Sequence, residues 1–345
     1  MQPVTERLRA ATADAGVALG GAPLGNLYRA VPDAEATAVI RRAWQLGIRY
    51  FDTAPHYGQG LSERRFGAVL RGMQRDEFVL STKVGRLLRA DAGAPSAQHG
   101  YVDVPAFVQD YDYARDGVLR SLDDSRARLG LERIDIVYAH DIDRATHGER
   151  FDAHFRDLLD SGLPSLAEQK RDGVIAGFGI GVNGVAICFD VLRHADPDAI
   201  LLAGRYTLAD QSALSELLPL CLRRKVAVVL GGPFNSGILA TGTHPPDGQP
   251  PRFDYAPAPA RVIARVAALE AVGARHGVPL RAAALQFPAA HRAVTAVLAG
   301  ARSVAEVDAL VAMRRLRVPA EYWRELRGRG LVAAEAPLPD PRIAP

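Results

Sequence analysis

The amino-acid sequence predicts an α/β protein folded as a single (β/α)8 TIM barrel with long loops at its C-terminal mouth. Three observations predict it. Short apolar or β-branched runs recur eight times along the 345 residues. Nearly every run is followed by a stretch of helical periodicity, and strands that alternate with helices make a parallel sheet. Reactive residue types gather just after the runs, at the end where barrels place their active sites. Eight such units favour closure into a barrel over an open, doubly wound sheet.

In chain order the runs are residues 17–20, 48–51, 78–82, 134–139, 175–181, 199–202, 226–230 and 294–298. After the first, Ala36, Ile40, Ala43, Trp44 and Gly47 recur at three- and four-residue steps, with Asp33 placed to cap a helix and Gly47 to end it. Val118, Leu122, Ser125 and Leu129 repeat similarly, and Gly130 stops that run. Three segments do not fit the repeat. Residues 86–113 are too long for an ordinary strand–helix loop and carry Tyr101, Phe107, Tyr111 and Tyr113. Residues 242–260 are rich in Pro and Gly and include Phe253 and Tyr255. Loops of that length are often lids or binding loops. Residues 337–345 read as a Pro-rich tail. No Pro/Ser linker divides the rest, so residues 1–336 are expected to form one domain.

Composition narrows the function classes. Hydrophobic residues make up 48% of the chain and charged residues 23%, which suits a globular protein with a large core. The formal charge of +3 is small, and the basic residues are scattered among acidic ones. No nucleic-acid or membrane partner is therefore expected. Cys188 and Cys221 lie in apolar, helix-like stretches and read as a buried, reduced pair. The first residues lack an apolar signal region and no run approaches membrane-spanning length, so a cytoplasmic location is expected.

The chemistry-bearing residues follow the strand candidates. Asp52 closes the second, with Tyr57 in the same loop. Lys83 ends the third, His140 the fourth and Asn183 the fifth, and Tyr206 follows the sixth. The segment GGPFNSG, with Gly231, Gly232 and Gly237, follows the seventh. GARS, with Gly300, Arg302 and Ser303, follows the eighth. In a barrel these positions share the C-terminal mouth. Each has a plainer reading: Asp52 as a turn pin, Tyr57 as a loop aromatic, Lys83 reaching solvent, His140 as a core histidine, Ser303 as a helix cap. Their convergence favours a site. A phenol is a poor base at neutral pH, an adjacent ammonium favours phenolate, and a carboxylate can hold the ammonium. Zinc-type spacing, a nucleophile elbow and a phosphate-binding P-loop are absent from the sequence, and no metal is expected.

FDTAPHYG, STKVG, the His after the fourth strand and GARS together resemble the aldo-keto reductase superfamily over about residues 16–316. The resemblance implies Asp52, Tyr57, Lys83 and His140 as the catalytic tetrad, and a nicotinamide cofactor lying extended across the barrel mouth. It further implies Asn183 on the carboxamide, Tyr206 stacked under the ring, Gly231–Gly237 along the pyrophosphate, and Arg302 with Ser303 at the adenosine. Longer strings, among them GGAPLGNLYR and FNSGILATG, resemble the branch containing D-threo-aldose 1-dehydrogenase, L-fucose dehydrogenase and pyridoxal 4-dehydrogenase. Glu306 and Leu310 depart from the Gln and Asn of many relatives. A carboxylate at Glu306 favours NAD over NADP, because it repels a 2′-phosphate. The expected activity is NAD(P)-dependent oxidation of an aldose at C1 to its lactone. Oxidation of pyridoxal, or a non-catalytic cofactor-binding subunit, are the alternatives.

Overall fold

The computed structural model describes residues 2–246 and 248–340. Its strands are β1 (Ala18–Gly20), β2 (Tyr50–Asp52), β3 (Val79–Val84), β4 (Arg86–Ala90), β5 (Phe107–Tyr111) and β6 (Ile136–His140), then β7 (Gly177–Val182), β8 (Ala199–Ala203), β9 (Ala227–Gly231), β10 (Arg252–Phe253), β11 (Ala256–Pro257) and β12 (Val294–Gly300). Eight of them close a parallel barrel in the order β1-β12-β9-β8-β7-β6-β3-β2. This is the (β/α)8 barrel the alternation predicts, with one barrel strand in each expected run. The other two pairs are antiparallel hairpins, β4–β5 and β10–β11, set in the two long segments that broke the repeat.

Successive side chains on a strand point to opposite faces, so each barrel strand feeds two cores. Leu19, Phe51, Leu80, Val137 and Ile180 face outward into the layer shared with the helices. Ala18, Tyr50, Val79, Ile136, Tyr138, Leu201 and Leu298 face inward. The inner core also takes Val4, Leu8 and Ala11 from a helix at Val4–Thr12, which plugs the N-terminal end of the barrel. The plug sits so close that a Cβ on Gly177 would lie 2.3 Å from a methyl of Val4. This helix lies outside the strand–helix repeat that the alternation predicts. Leu8 is fully buried in it, so Leu8→Ala would cost about 2–5 kcal/mol.

The helix expected near residue 33 spans Asp33–Gln45, and Gly47 follows at φ +85. Asp33 is its first residue rather than its cap, and its carboxylate pairs with Arg65 at 2.7 Å. The helix Arg115–Leu129 ends on Gly130 in the left-handed conformation, as the pattern predicts. Cys188 and Cys221 are buried and free. No helix among the described residues is long and apolar enough to cross a membrane. Of the expected tail, residues 337–340 have no regular structure and residues 341–345 lie outside the described residues.

Candidate active site

Strand register assembles the centre. Asp52 stands beside Ser81, Lys83 beside Tyr138, and His140 beside Gly181. Ser81 and Lys83 are two residues apart, so both point inward. The Lys83 ammonium donates to Asp52 Oδ2 at 2.7 Å and to the Thr53 carbonyl at 2.9 Å. Ser81 Oγ donates to Asp52 Oδ1 at 2.6 Å. Both members of the ion pair are almost wholly buried. Gly181, two strands away on β7, lies against the lysine stem: a Cβ there would stand in ordinary contact with Lys83 Cε at 3.5 Å.

Tyr57 lies over this pair, with Lys83 Nζ 4.5 Å from its ring centroid. The His140 ring stands perpendicular to it at 5.9 Å. The backbone of Tyr57 is clamped between two glycines. A Cβ on Gly25 would meet the Tyr57 carbonyl carbon at 2.5 Å, and one on Gly58 would meet the Gly25 oxygen at 2.2 Å. Two loops therefore touch main chain to main chain, an approach only glycine permits.

Burial dominates the electrostatics. It pushes the Asp52 carboxyl up, opposed by the Lys83 ammonium and the Ser81 hydroxyl. It pushes the Tyr57 phenol well above its usual value, with the Asp52 carboxylate adding to the rise, followed by Tyr101, Tyr255 and Asp141. The His140 imidazole is held well below its usual range by burial, then by the Arg86 and Lys83 charges and by His56. The resting site thus holds a protonated phenol and a neutral imidazole. This corrects the expectation that Lys83 lowers the phenol: the ammonium is matched by a carboxylate at 2.7 Å, so the phenol is deeply buried over a nearly neutral pair. His140 Nδ1 is buried without a hydrogen-bond partner among the described residues.

A cleft of about 730 Å3 runs from this cluster across the mouth. Asp52, Tyr57, Lys83, His140, Asn183, Gly231, Gly232, Gly237, Gly300, Arg302 and Glu306 all line it. Asn183 Nδ2 donates to Asp141 Oδ1 at 3.0 Å, and Arg205 Nε donates to the Asn183 carbonyl at 2.5 Å. At Gly300 a Cβ would strike the Pro23 ring at 2.5 Å, so bare backbone forms the wall there. The cleft fits an extended dinucleotide: tetrad at one end, an arginine and a helix N-terminus at the other, glycines between.

Two expected contacts are not in the cleft. Tyr206 is fully buried, its ring 5.0 Å from Phe287 and 5.5 Å from His291. The chain turns at Gly204 (φ +70), sends Arg205 to the mouth, and drops Tyr206 against the helix Leu280–Ala289. It is not placed to stack under a nicotinamide. Ser303 caps the helix Val304–Arg315, accepting from the Glu306 N–H at 3.2 Å, and does not line the cleft. Glu306 does line it, but one carboxylate oxygen is held by the Arg302 N–H at 2.7 Å.

The long segments supply the roof. The first is tied down by the β4–β5 hairpin, and its tip returns Tyr101 to pair with Leu27. Tyr101 lies nearly parallel to Tyr57, 6.3 Å away, while Tyr113 turns under the site and donates to the His140 carbonyl at 2.6 Å. From the second segment Tyr255 leans toward Asn183, its hydroxyl 3.5 Å from Oδ1, and Arg252 lies over Tyr28. Of the polar run after β6, Asp141 lines the cleft. Asp143 caps a short helix and Arg144 pairs with Asp152 at the surface.

Residues 16–328 match the aldo/keto reductase family. The chain belongs to that family. Over 325 residues it is 45% identical to a pyridoxal 4-dehydrogenase of Microbacterium luteolum, covering 91% of this chain and 94% of that one. It is 40% identical to a D-threo-aldose 1-dehydrogenase of a Pseudomonas species, covering 93% and 97%. Among solved structures, an aldo-keto reductase of Bacillus halodurans in its holo form superposes with a TM-score of 0.70 at 25% identity, covering 93% of both chains. This aldo-keto reductase is accordingly an oxidoreductase that acts on a small molecule and works with NAD(H) or NADP(H).

Several residues of the reductase site escaped the sequence reading. Arg86 pairs with Asp141 and reaches Gln109 at 3.2 Å, and Gln109 in turn binds His56 at 3.0 Å. Asn235 lies in the GGPFNSG segment at φ 44, donates to the Gly204 carbonyl at 3.0 Å and lines the cleft. Nothing in the spacing links Arg86 to Asp141; only the hairpin brings them together. His56, beside Tyr57 in a segment already singled out, was the legible one.

Proposed function

We propose that this aldo-keto reductase oxidises the ring carbon of a cyclic hemiacetal to a lactone, as an aldose 1-dehydrogenase acting on L-fucose or a D-threo-aldose. The observation that carries the reading is a buried phenol over an ion-paired lysine, beside a neutral imidazole with an unpartnered nitrogen. Tyr57 removes the C1 hydroxyl proton, and His140 hydrogen-bonds to the same oxygen. Lys83, fixed by Asp52, supplies positive charge under the ring as negative charge develops on the phenol oxygen. When bound, a nicotinamide supplies the hydride acceptor. Asn183 is the residue for its carboxamide, the glycines after β9 for the pyrophosphate, and Arg302 with Glu306 for the adenosine. A carboxylate on that wall repels a 2′-phosphate, which favours NAD over NADP.

The second reading is pyridoxal, favoured by the relative at 45% identity. It uses the same chemistry, because pyridoxal, like an aldose, carries a hydroxyl placed to close a ring on its aldehyde. A panel of L-fucose, D-arabinose, L-galactose, L-xylose and pyridoxal, followed by nicotinamide absorbance with each cofactor, tests both. Turnover of a sugar with NAD is expected. Turnover of pyridoxal alone would select the second reading, and turnover of none would reject both.

A further inference from the structure

Barrel interiors are packed with branched apolar side chains, yet polar residues on three strands are stacked beneath the tetrad. Tyr138 on β6, Tyr50 on β2 and Ser81 on β3 are completely or almost completely buried. Their hydroxyls form a line: Tyr138 to Tyr50 at 3.3 Å, Tyr50 to Ser81 at 3.0 Å, and Ser81 to Asp52 Oδ1 at 2.6 Å. Proton counting fixes its direction. An ionised Asp52 only accepts, so the single Ser81 hydrogen is committed to it. The Tyr50 hydroxyl must then donate to Ser81, and Tyr138 to Tyr50. Every O–H dipole in the line points toward Asp52.

We propose that Ser81, Tyr50 and Tyr138 form a polarised hydrogen-bond ladder that keeps the buried Asp52 ionised, and so keeps Lys83 in place under Tyr57. They are positioning residues; none lines the cleft. The consequence for Tyr57 rests on the reading of the tetrad given above, whereas the ladder's hold on Asp52 does not. A carboxylate buried this deeply is pushed toward its neutral form, and aligned donors oppose that push. The groups facing it are few. Lys83 meets its other oxygen, Tyr57 lies above with His140 beyond, and Tyr50 and Tyr138 lie below. Asp135 and Asp198 act on the two phenols from the barrel base. Lys83 alone among these carries the opposite charge close by, and it binds one oxygen only. Ser81 serves the other.

The test titrates Asp52 directly, by the carboxyl resonance of carbon-13-labelled enzyme, assigned with Asp52→Asn. Ser81→Ala should move the Asp52 titration up by about one pH unit, a tenfold change in proton affinity. Tyr50→Phe, which keeps the ring, should move it less in the same direction, and Tyr138→Phe least. Ser81→Thr, which keeps the hydroxyl, should restore the wild-type midpoint. Where the enzyme turns over, the acid limb of kcat against pH should rise in the same order, with the KM for cofactor unchanged. An unmoved or lowered Asp52 midpoint in Tyr50→Phe overturns the ladder, whatever Ser81→Ala does. Should Ser81→Ala not fold, Tyr50→Phe decides alone. A shifted Asp52 midpoint with turnover of no substrate would uphold the ladder and reject the proposed reaction.

Discussion

Tyr57→Phe isolates one oxygen atom. The ring keeps its neighbours, with Lys83 Nζ 4.5 Å from its centroid, His140 at 5.9 Å and Tyr101 at 6.3 Å, so packing should survive. What disappears is the phenol proton acceptor. A positioned acid–base group contributes about 10²–10⁴-fold, or roughly 2.7–5.4 kcal/mol of barrier. Turnover should fall by at least the lower figure. The wild-type pH dependence carries a further signature. Burial and Asp52 hold the phenol well above its usual range, so it is protonated at neutral pH. Oxidation needs the ionised oxygen, and its rate should climb steadily as pH rises from neutral. The reverse reduction uses the protonated form and should stay flat over the same range. In Tyr57→Phe the climb should vanish. Cofactor affinity, read by fluorescence quenching, should hold, because the proposed cofactor contacts Asn183 and Arg302 are untouched. A variant that oxidises its best substrate at near wild-type rate, or keeps the alkaline climb, refutes the assignment of Tyr57.

Other substitutions separate roles that share the mouth. Lys83→Met removes the counter-ion of a buried carboxylate, which should cost about 3–5 kcal/mol in denaturant unfolding while Asp52 stays charged. Its residual oxidation should need higher pH than wild type, since the phenol is left facing an unmatched Asp52 carboxylate. Glu306→Gln should lower the NAD to NADP ratio of kcat/KM; an unchanged ratio would remove the carboxylate from cofactor choice. Ser303→Ala should cost about 1 kcal/mol of stability through the lost helix cap, with the KM for cofactor unmoved. Tyr206→Leu, which removes the ring, should likewise leave that KM alone in a folded variant, and a rise of several-fold would restore its expected stacking role.

The residues that end strands were legible because register does the work of assembly. Asp52, Lys83, His140 and Asn183 each terminate a run or follow it directly, and a closed parallel barrel brings all such ends to one rim. Tyr206 and Ser303 lie off the cleft for one reason: they are the second or third residues of turns, where a single positive-φ glycine or a cap geometry decides which way a side chain faces. The plug at Val4–Thr12 was missed because its apolar residues are few and spaced among charges. Its partner surface, the inside of a barrel, is invisible in local periodicity. The Arg86–Asp141 pair and the Tyr138–Tyr50–Ser81 line join strands far apart in the chain, and no spacing rule records them.

The glycine clamp around Tyr57 has a consequence for how such an enzyme can change. Main-chain contact between the Gly25 and Gly58 loops fixes the backbone that carries the phenol, whereas the roof is built from the β4–β5 hairpin and the segment around Tyr255. Chemistry and recognition thus sit on separable pieces. A laboratory evolution campaign seeking new substrates should diversify the hairpin tip and the Tyr255 strap as exchangeable cassettes. Libraries that touch Gly25 or Gly58 should return mostly dead clones, whatever molecule is offered.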